Sequence, residues 1–262
     1  DLAVAYAIAD GEDPDDVEFE CRLPNAFLAD PPLEDVVTKS IELGARGYVG
    51  GVNYNIGLFN MNNRDDILFQ TTGRSTGLFA NVDKTRRRGL EAGLRGQLDN
   101  LSWFANYSHI DATFQDSFQV LSPNHDFADD EGEVSVHSGD SIPGIPENQF
   151  KLGANYQFSS AFRLGFDLVT NSGQYLRGDE SNQLDKTDGF TVVNLRARYR
   201  FSEDFELFAR IDNLLDEDYE TFGLLGEEPG EVEAPIIEDF SVPRFLGAAP
   251  PRAGYVGLRY RF

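Results

Sequence analysis

Histidine and acidic residues are the side chains of this chain best suited to catalysis or metal binding. Cys21 is the single cysteine, so no disulfide forms within the chain, and the histidines at 109, 125 and 137 are dispersed. No spacing matches a metal-ligand motif, so we predict no metal site, no cofactor and no catalytic residue. The alternative is a hydrolytic site of acids and histidines at an outer rim, with candidate residues His125, His137, Asp129 and Asp130.

Acidic residues dominate three segments of the chain. The net charge is -23, and segments 10–38, 111–147 and 216–240 contain ten, nine and ten of the 45 acids, offset there by Arg22 alone. Such surfaces repel phosphates, which excludes nucleic acid as a partner. The run Asp129-Asp130-Glu131 offers oxygen ligands to divalent cations, but no spacing matches a dedicated calcium loop. We therefore favour a solvated, repulsive surface over cation binding.

Alternating apolar and polar residues define the elements that must position these segments. Residues 254–262 alternate up to an aromatic carboxy terminus, and residues 149–158, 162–169, 190–201 and 205–212 alternate as well. Because strand side chains have a period of two, each segment has one face without charge. The opposite face carries the charges of Lys151, Arg163, Asp167, Arg196, Arg198, Arg200, Glu206, Arg210, Asp212, Arg259 and Arg261.

The same pattern predicts an all-β protein. Ten strands are expected near residues 2–9, 41–49, 52–69, 78–98, 101–114, 149–158, 162–174, 190–201, 205–215 and 254–262. We expect Glu206 and Asp212 to form cross-strand ion pairs with the arginine-rich neighbouring strands. Glycines at 89 and 93 are expected to let another element pack closely against the charged face.

The connections between these strands alternate between short and long. Short turns fall near 50–51, 99–100, 159–161 and 202–204, whereas the long loops span about 10–40, 115–147 and 216–252, with shorter connections at 70–77 and 174–189. Aromatic residues flank the short turns, which is typical of the interfacial girdle of a membrane barrel. No run of about 18 apolar residues exists, which excludes transmembrane helices. The pattern favours an antiparallel transmembrane β-barrel over a soluble β-sandwich.

Four stretches together resemble the carboxy-terminal half of TonB-dependent outer-membrane receptors. They are Asn81–Glu91, with a basic run before Gly, an aliphatic residue and Glu; Ile142–Pro146, before a strand; Arg210–Tyr219; and the terminal strand Pro251–Phe262. The resemblance implies that residues 1–262 are part of one barrel of about 22 strands, with about ten strands present and the plug domain absent. It also places the chain in the bacterial outer membrane.

The resemblance implies uptake of an iron chelate, or of a similar nutrient, with energy relayed by TonB. Its expected partners are outer-membrane lipid and lipopolysaccharide, the barrel-insertion machinery, TonB, the plug domain and the small-molecule metal chelate. Tyr260 and Phe262 correspond to the barrel-assembly signal of the family. Substrate contacts are expected in the loops, with segments 115–147 and 216–252 as the best candidates, at Arg74, Phe118, Phe127, Arg177, Phe222, Arg244 and Phe245. The alternatives are a self-contained ten-strand outer-membrane protease and a passive porin.

Overall fold

Thirteen strands make up the regular structure of the described part of the protein. The computed structural model describes residues 32–71, 77–226 and 244–262. The strands are β1 (Val37–Val49), β2 (Val52–Thr71), β3 (Gly77–Leu98), β4 (Leu101–Phe114), β5 (Phe118–Leu121), β6 (Glu133–Val136), β7 (Asn148–Gln157), β8 (Phe162–Asn171), β9 (Phe190–Arg200), β10 (Phe205–Asp212), β11 (Glu220–Leu225), β12 (Arg244–Ala248) and β13 (Ala253–Tyr260). Within these described ranges, no helix has the length and apolarity that a membrane span requires.

Nine of the strands form one antiparallel sheet. Their order is β1-β2-β3-β4-β7-β8-β9-β10-β13, so every strand lies beside its neighbour in the chain once two small hairpins are set aside. These nine correspond to nine of the ten predicted strands, and the predicted strand at 2–9 lies outside the described residues. The all-β antiparallel prediction is confirmed. Within the described part of the chain, β1 and β13 each pair on one side and leave the other edge free.

The two faces of this sheet differ in chemistry, as the alternation predicts. The register pairs Leu43 with Leu58, Leu58 with Leu90, and Leu207 with Leu258, so apolar residues form continuous rows on one face. We call it the apolar face, and we call the opposite side, which carries the arginines of β8–β10, the polar face. The apolar face is open: Ile41 and Val256 are both 76% exposed. No second layer of described residues covers it, so the β-sandwich alternative is wrong.

Ion pairs cross the strands on the polar face. Glu206 lies between Arg198 of β9, at 3.4 Å, and Arg259 of β13, at 3.6 Å, which confirms the predicted cross-strand pairing for this residue. Asp212 differs from the prediction, because its partner is Arg210 of its own strand. Glu206 therefore links three strands and favours their observed register.

Aromatic side chains lie over glycines directly opposite them on the polar face. Phe59 pairs with Gly89, Phe104 with Gly153 and Phe208 with Gly257, and each ring occupies the space where a glycine Cβ would stand. The space at Gly93 is taken by the Asn55 and Asn106 side chains. The expectation that Gly89 and Gly93 admit another structural element is therefore wrong, because neighbouring strands already fill those positions.

Aromatic residues form a belt at the short-turn end of the apolar face. Phe158 stacks on Phe162 at 5.3 Å across one turn, and Phe201 stacks on Phe205 at 5.2 Å across the next. Tyr199 contacts Phe201 at 4.7 Å and Phe162 at 6.5 Å, which joins the two turns. The β1–β2 turn closes through Gly50 and Gly51, both at positive φ, a conformation that glycine adopts without steric cost. The aromatic residues that flank the short turns in the sequence therefore lie together at one end of the apolar face.

The long connections contain structure that the alternation did not predict. The 115–147 segment contains the hairpin β5–β6, and the 216–252 segment contains the hairpin β11–β12. Val120, Val134 and Val136 of the first hairpin pack with Val82 and Phe114 into a small buried apolar core. This core anchors the hairpin to the long-loop ends of β3 and β4.

Adjacent substitutions on β8 test which face contacts lipid. Leu168 lies on the apolar face and Val169 on the polar face, and both are half-buried. Leu168→Arg is expected to lower the free energy of unfolding by about 2–4 kcal/mol, because a guanidinium near the bilayer midplane loses its hydration. Val169→Arg should change it far less. Urea titration of the full-length protein in lipid bilayers, followed by tryptophan fluorescence, measures both. Equal losses in the two variants would contradict the assignment of faces.

Candidate functional site

Three segments meet at the end of the sheet opposite the short turns. They are the β5–β6 hairpin, the 172–189 segment between β8 and β9, and the β11–β12 hairpin, and we call this assembly the loop cluster. The 172–189 segment is central because it contacts both hairpins. Its Leu176 is completely buried, as is Asp179. The loop cluster is therefore a packed unit with its own interior.

A buried polar network joins the 172–189 segment to the β5–β6 hairpin. His125 Nε2 lies 2.9 Å from Asp179 Oδ1, with both side chains fully buried. The Asp179 carboxylate also accepts the backbone N–H groups of Gln183, at 2.9 Å, and Leu184, at 3.1 Å. The Ser122 hydroxyl donates to the Gly178 carbonyl at 2.6 Å. Because buried polar groups are costly to leave unpaired, this network fixes the two segments together.

The geometry of His125 does not support hydrolytic chemistry. The Phe127 backbone N–H donates to His125 Nδ1 at 3.1 Å, so the ring proton is on Nε2 and points at Asp179. Ser181 Oγ approaches the same nitrogen, Nε2, at 3.3 Å. A relay needs the acid and the nucleophile on different ring nitrogens, so these three residues do not form one.

The other residues of the hydrolytic alternative lie elsewhere. Asp129 Oδ1 accepts the backbone N–H groups of Glu131 and Glu133, and His137 lies 3.9 Å from Asp140. The four residues proposed for that site therefore do not converge. In the part of the chain that the structure describes, no three His, Cys, Asp or Glu side chains come together to hold a metal ion.

Glu180 is the most perturbed titratable group of the loop cluster. Burial raises its pKa to about 7 from an ordinary 4.5, and the neighbouring Asp179 carboxylate adds to the rise. The Gly178 N–H donates to Glu180 Oε1 at 3.2 Å and opposes the shift, as does the charge of Arg177. No pattern in the sequence distinguishes Glu180 from the many exposed acids of the chain.

The junction with the β11–β12 hairpin has a buried side and an exposed side. The Arg177 N–H donates to the Gly223 carbonyl at 3.0 Å, and the Leu225 N–H donates to the Arg177 carbonyl at 2.7 Å. Leu176 and Leu225 point into the cluster and are buried, while the Arg177 side chain is exposed. The Arg177 side chain therefore points to the same side as Phe222 and Leu224 of β11.

The exposed side of this junction brings together three of the predicted substrate residues. The Arg177 guanidinium lies 6.0 Å from the centre of the Phe222 ring. Phe245 of β12 pairs with Leu224, which points to the same side as Phe222 because strand side chains alternate. We call Arg177, Phe222, Leu224 and Phe245 the aromatic platform. A cation beside two exposed rings suits a planar, anionic ligand.

The structure places the remaining predicted substrate residues away from the platform. Arg244 pairs with Leu225, on the opposite side of the hairpin, and its Nη2 donates to the Asp185 carbonyl at 2.9 Å. Phe118 packs edge-on against Phe114 at 5.2 Å, beside the buried apolar core. Phe127 is exposed on the other hairpin. Arg74 lies outside the described residues.

Arginines line a hollow on the polar face near the short-turn end. The hollow measures about 280 Å³, and its charged lining residues are Arg163, Arg196, Arg198, Arg210, Arg259 and Glu206. Arg196 forms a two-pronged ion pair with Asp167, while Arg198 and Arg259 share Glu206. The five arginines outnumber the acids that pair with them, Asp167, Glu206 and Asp212. This part of the polar face is therefore positive, in contrast to the acidic long loops.

Comparison with known proteins relates most of the chain to one family. Residues 7–214 match the family described as TonB dependent receptor-like, beta-barrel. The vitamin B12 transporter BtuB of Vibrio vulnificus (strain YJ016) is 28% identical over 195 residues, which are 73% of this chain and 27% of that protein. The chain thus spans less than a third of the length of this relative.

Solved structures share the fold at low sequence identity. The siderophore receptor PiuA from Acinetobacter baumannii superimposes with a TM-score of 0.63 and 16% identity, over 85% of this chain and 28% of that one. The ferric yersiniabactin uptake receptor FyuA from Yersinia pestis gives a TM-score of 0.62 and 17% identity, over 87% of this chain and 30% of that one. These similarities show that the described sheet has the antiparallel β-barrel fold of these proteins.

The buried carboxyl of Glu180 makes the loop cluster sensitive to pH. Because its folded pKa, about 7, exceeds its ordinary 4.5, its contribution to stability is complete below pH 4.5 and is lost as the pH rises through 7. The loss is on the order of 3 kcal/mol. Hydrogen exchange of the Gln183 and Leu184 amides, corrected for the intrinsic rate, should show weaker protection at pH 7.5 than at pH 5.

Glu180→Gln is expected to abolish this pH dependence, because the amide has no proton to lose. The matched control is Glu131→Gln, which removes an exposed carboxyl from the same loop cluster and should preserve the slope. A Glu180→Gln variant with an unchanged pH profile would show that another group titrates.

Proposed function

Because the chain belongs to the TonB dependent receptor-like β-barrel family, we propose that it forms the carboxy-terminal wall of an outer-membrane receptor. That receptor imports an iron chelate or a similar nutrient, using energy relayed by TonB. The match over residues 7–214 is the observation that carries the proposal. Residues 1–262 then belong to one barrel domain, with the plug domain supplied by another part of the receptor.

The surface chemistry of the sheet supports a location in the outer membrane. An open apolar face nine strands wide would be unstable in water, and hydrocarbon is the solvent that it suits. The aromatic belt at the short turns marks one membrane interface, and the acidic loop cluster lies beyond the other. Tyr260 and Phe262 continue the apolar face to the carboxy terminus, where the barrel-insertion machinery would recognise them.

The polar face supports contact with a plug. The hollow lined by Arg163, Arg196 and Arg259 is open, and its excess positive charge is complementary to carboxylates. A plug domain that fills the barrel would cover this wall. In the proposed receptor the barrel interior is filled by the plug domain. In a passive porin it would be filled by water.

The aromatic platform is the part of the loop cluster best suited to the cargo. Arg177 supplies a charge-assisted hydrogen-bond donor, and the rings of Phe222 and Phe245 supply flat apolar surfaces. Ferric chelates combine anionic oxygen donors with planar organic arms, so both kinds of contact are available to them. Arg177 is also the exposed cation that offsets the acidic surroundings at this place.

Uptake measurements test the proposal directly. The full-length receptor, expressed in a Gram-negative host whose own receptors are deleted, is expected to accumulate a labelled ferric chelate from a panel that also includes cobalamin. Accumulation should cease when TonB is deleted. Uptake that persists without TonB would indicate a passive pore. A receptor that transports none of the compounds in the panel would contradict the proposed nutrient class.

Substitution of Arg177 tests the platform. Arg177→Gln should weaken binding of the transported chelate about 10- to 100-fold, because a hydrogen bond to a charged group is lost. The matched control is Arg252→Gln, which removes a loop arginine paired with Asp216 at 3.1 Å and away from the platform. Titration of purified receptor with the chelate measures both affinities, and equal affinities would place the cargo elsewhere.

A further inference from the structure

The apolar face changes chemistry towards the long-loop end of β1–β4. The row formed by Leu43, Leu58 and Leu90 is the last in which all three strands are apolar. The next outward row contains Arg88 beside Asp111, and the row above it pairs Lys39 with Asn62 and Asn62 with Arg86. A further row pairs Arg64 with Lys84. Three successive rows above the apolar belt therefore carry cations.

We call the five cations of these rows the cationic patch: Lys39, Arg64, Lys84, Arg86 and Arg88. Acidic side chains neutralise this patch only in part. Lys84 pairs with Asp116 at 3.0 Å, and Arg88 pairs with Asp111 at 2.8 Å. Within residues 32–71, 77–226 and 244–262, the side chains of Lys39, Arg64 and Arg86 have no ion-pair partner. The Arg86 Nε is buried and lacks a hydrogen-bond acceptor. In a chain with a net charge of -23, this patch has unused positive charge and an unused donor.

The strand register places like charges next to each other in the patch, which favours binding of an anion between them. Arg64 and Lys84 stand directly opposite each other on neighbouring strands, where like charges destabilise the pair. Arg86 and Lys84 lie two residues apart on one strand, about 7 Å along its axis. An anion between these side chains would relieve the repulsion and accept hydrogen bonds from them.

The position of the patch identifies the anion. It faces the same side as the lipid-contacting leucines, so cargo and plug on the polar face do not reach it. It also lies at the long-loop end, which faces the outside in bacterial barrels. With the outer-membrane location proposed above as the premise, the patch is level with the headgroups of the outer leaflet, whose glycolipid bears phosphates.

We propose that Lys39, Arg64, Lys84, Arg86 and Arg88 form a binding site for the phosphates of lipopolysaccharide. The acyl chains of the bound glycolipid then lie along Ile41, Leu43 and Leu58, directly below the cations. Arg64, Arg86 and Lys39 are the principal phosphate contacts, because Lys84 and Arg88 are partly neutralised by their own acids. The site fixes the height of the barrel wall in the membrane.

Lipid titration of the full-length receptor tests this site. The probes are bisphosphorylated lipid A and the same lipid without phosphates, added in detergent and detected by native mass spectrometry. The variant combines Lys39→Gln, Arg64→Gln and Arg86→Gln. Removal of each cation should weaken binding of the phosphorylated lipid about fivefold, which gives a loss on the order of 100-fold for the three. The dephosphorylated lipid should bind wild type and variant equally weakly.

The matched control removes the same charge from the polar face, through Arg95→Gln, Arg200→Gln and Arg261→Gln. This control should bind bisphosphorylated lipid A as the wild type does. Equal binding by the patch variant and the control would overturn the proposal, as would equal binding of the two lipids by the wild type. The lipid-binding result does not depend on the uptake assay. If the proposed function is wrong, the wild type will show no TonB-dependent uptake, whatever its lipid binding.

Discussion

The satisfaction of backbone hydrogen bonds is the constraint on which the rest of this structure depends. Hydrocarbon offers no partner for an N–H or C=O group, so a chain crosses it in this form only when every strand is paired with neighbours. The nine-strand antiparallel ladder meets that requirement between β1 and β13. Side-chain alternation then follows from the pleat, and the separation of leucines from arginines is the one that lipid on one side and water or protein on the other would require.

The nine-strand sheet is predictable from the sequence because strand side chains alternate between its two faces, and this alternation is visible in short segments. In β7 polar and apolar residues alternate with the face they occupy, and the predicted bounds of β4 and β7 agree with the structure within one residue. The loop cluster obeys no such rule. His125 and Asp179 are distant in the sequence, and their contact depends on the packing of two separate connections. Arg244 and Phe245 are adjacent, yet the register of β11–β12 puts them on opposite sides.

The wall and the loop cluster are stabilised by different interactions. The nine-strand sheet has little interior, so in the proposed membrane location its leucines and phenylalanines would be stabilised by lipid. The loop cluster has buried polar groups, with Asp179 accepting backbone and side-chain donors on both oxygens. A network of this kind holds one geometry, because any displacement leaves a buried group unpaired. Arg177 follows the buried Leu176, and its backbone is hydrogen-bonded to β11, so the proposed ligand contacts would be held in one geometry before a ligand binds.

The pairing of aromatic residues with glycines keeps three large rings close to the polar face of the sheet. Phe59, Phe104 and Phe208 lie against the sheet over Gly89, Gly153 and Gly257. A side chain in place of each glycine would meet the ring and push it away from the sheet. In the proposed receptor, rings that lie flat leave the space over this face to the plug domain.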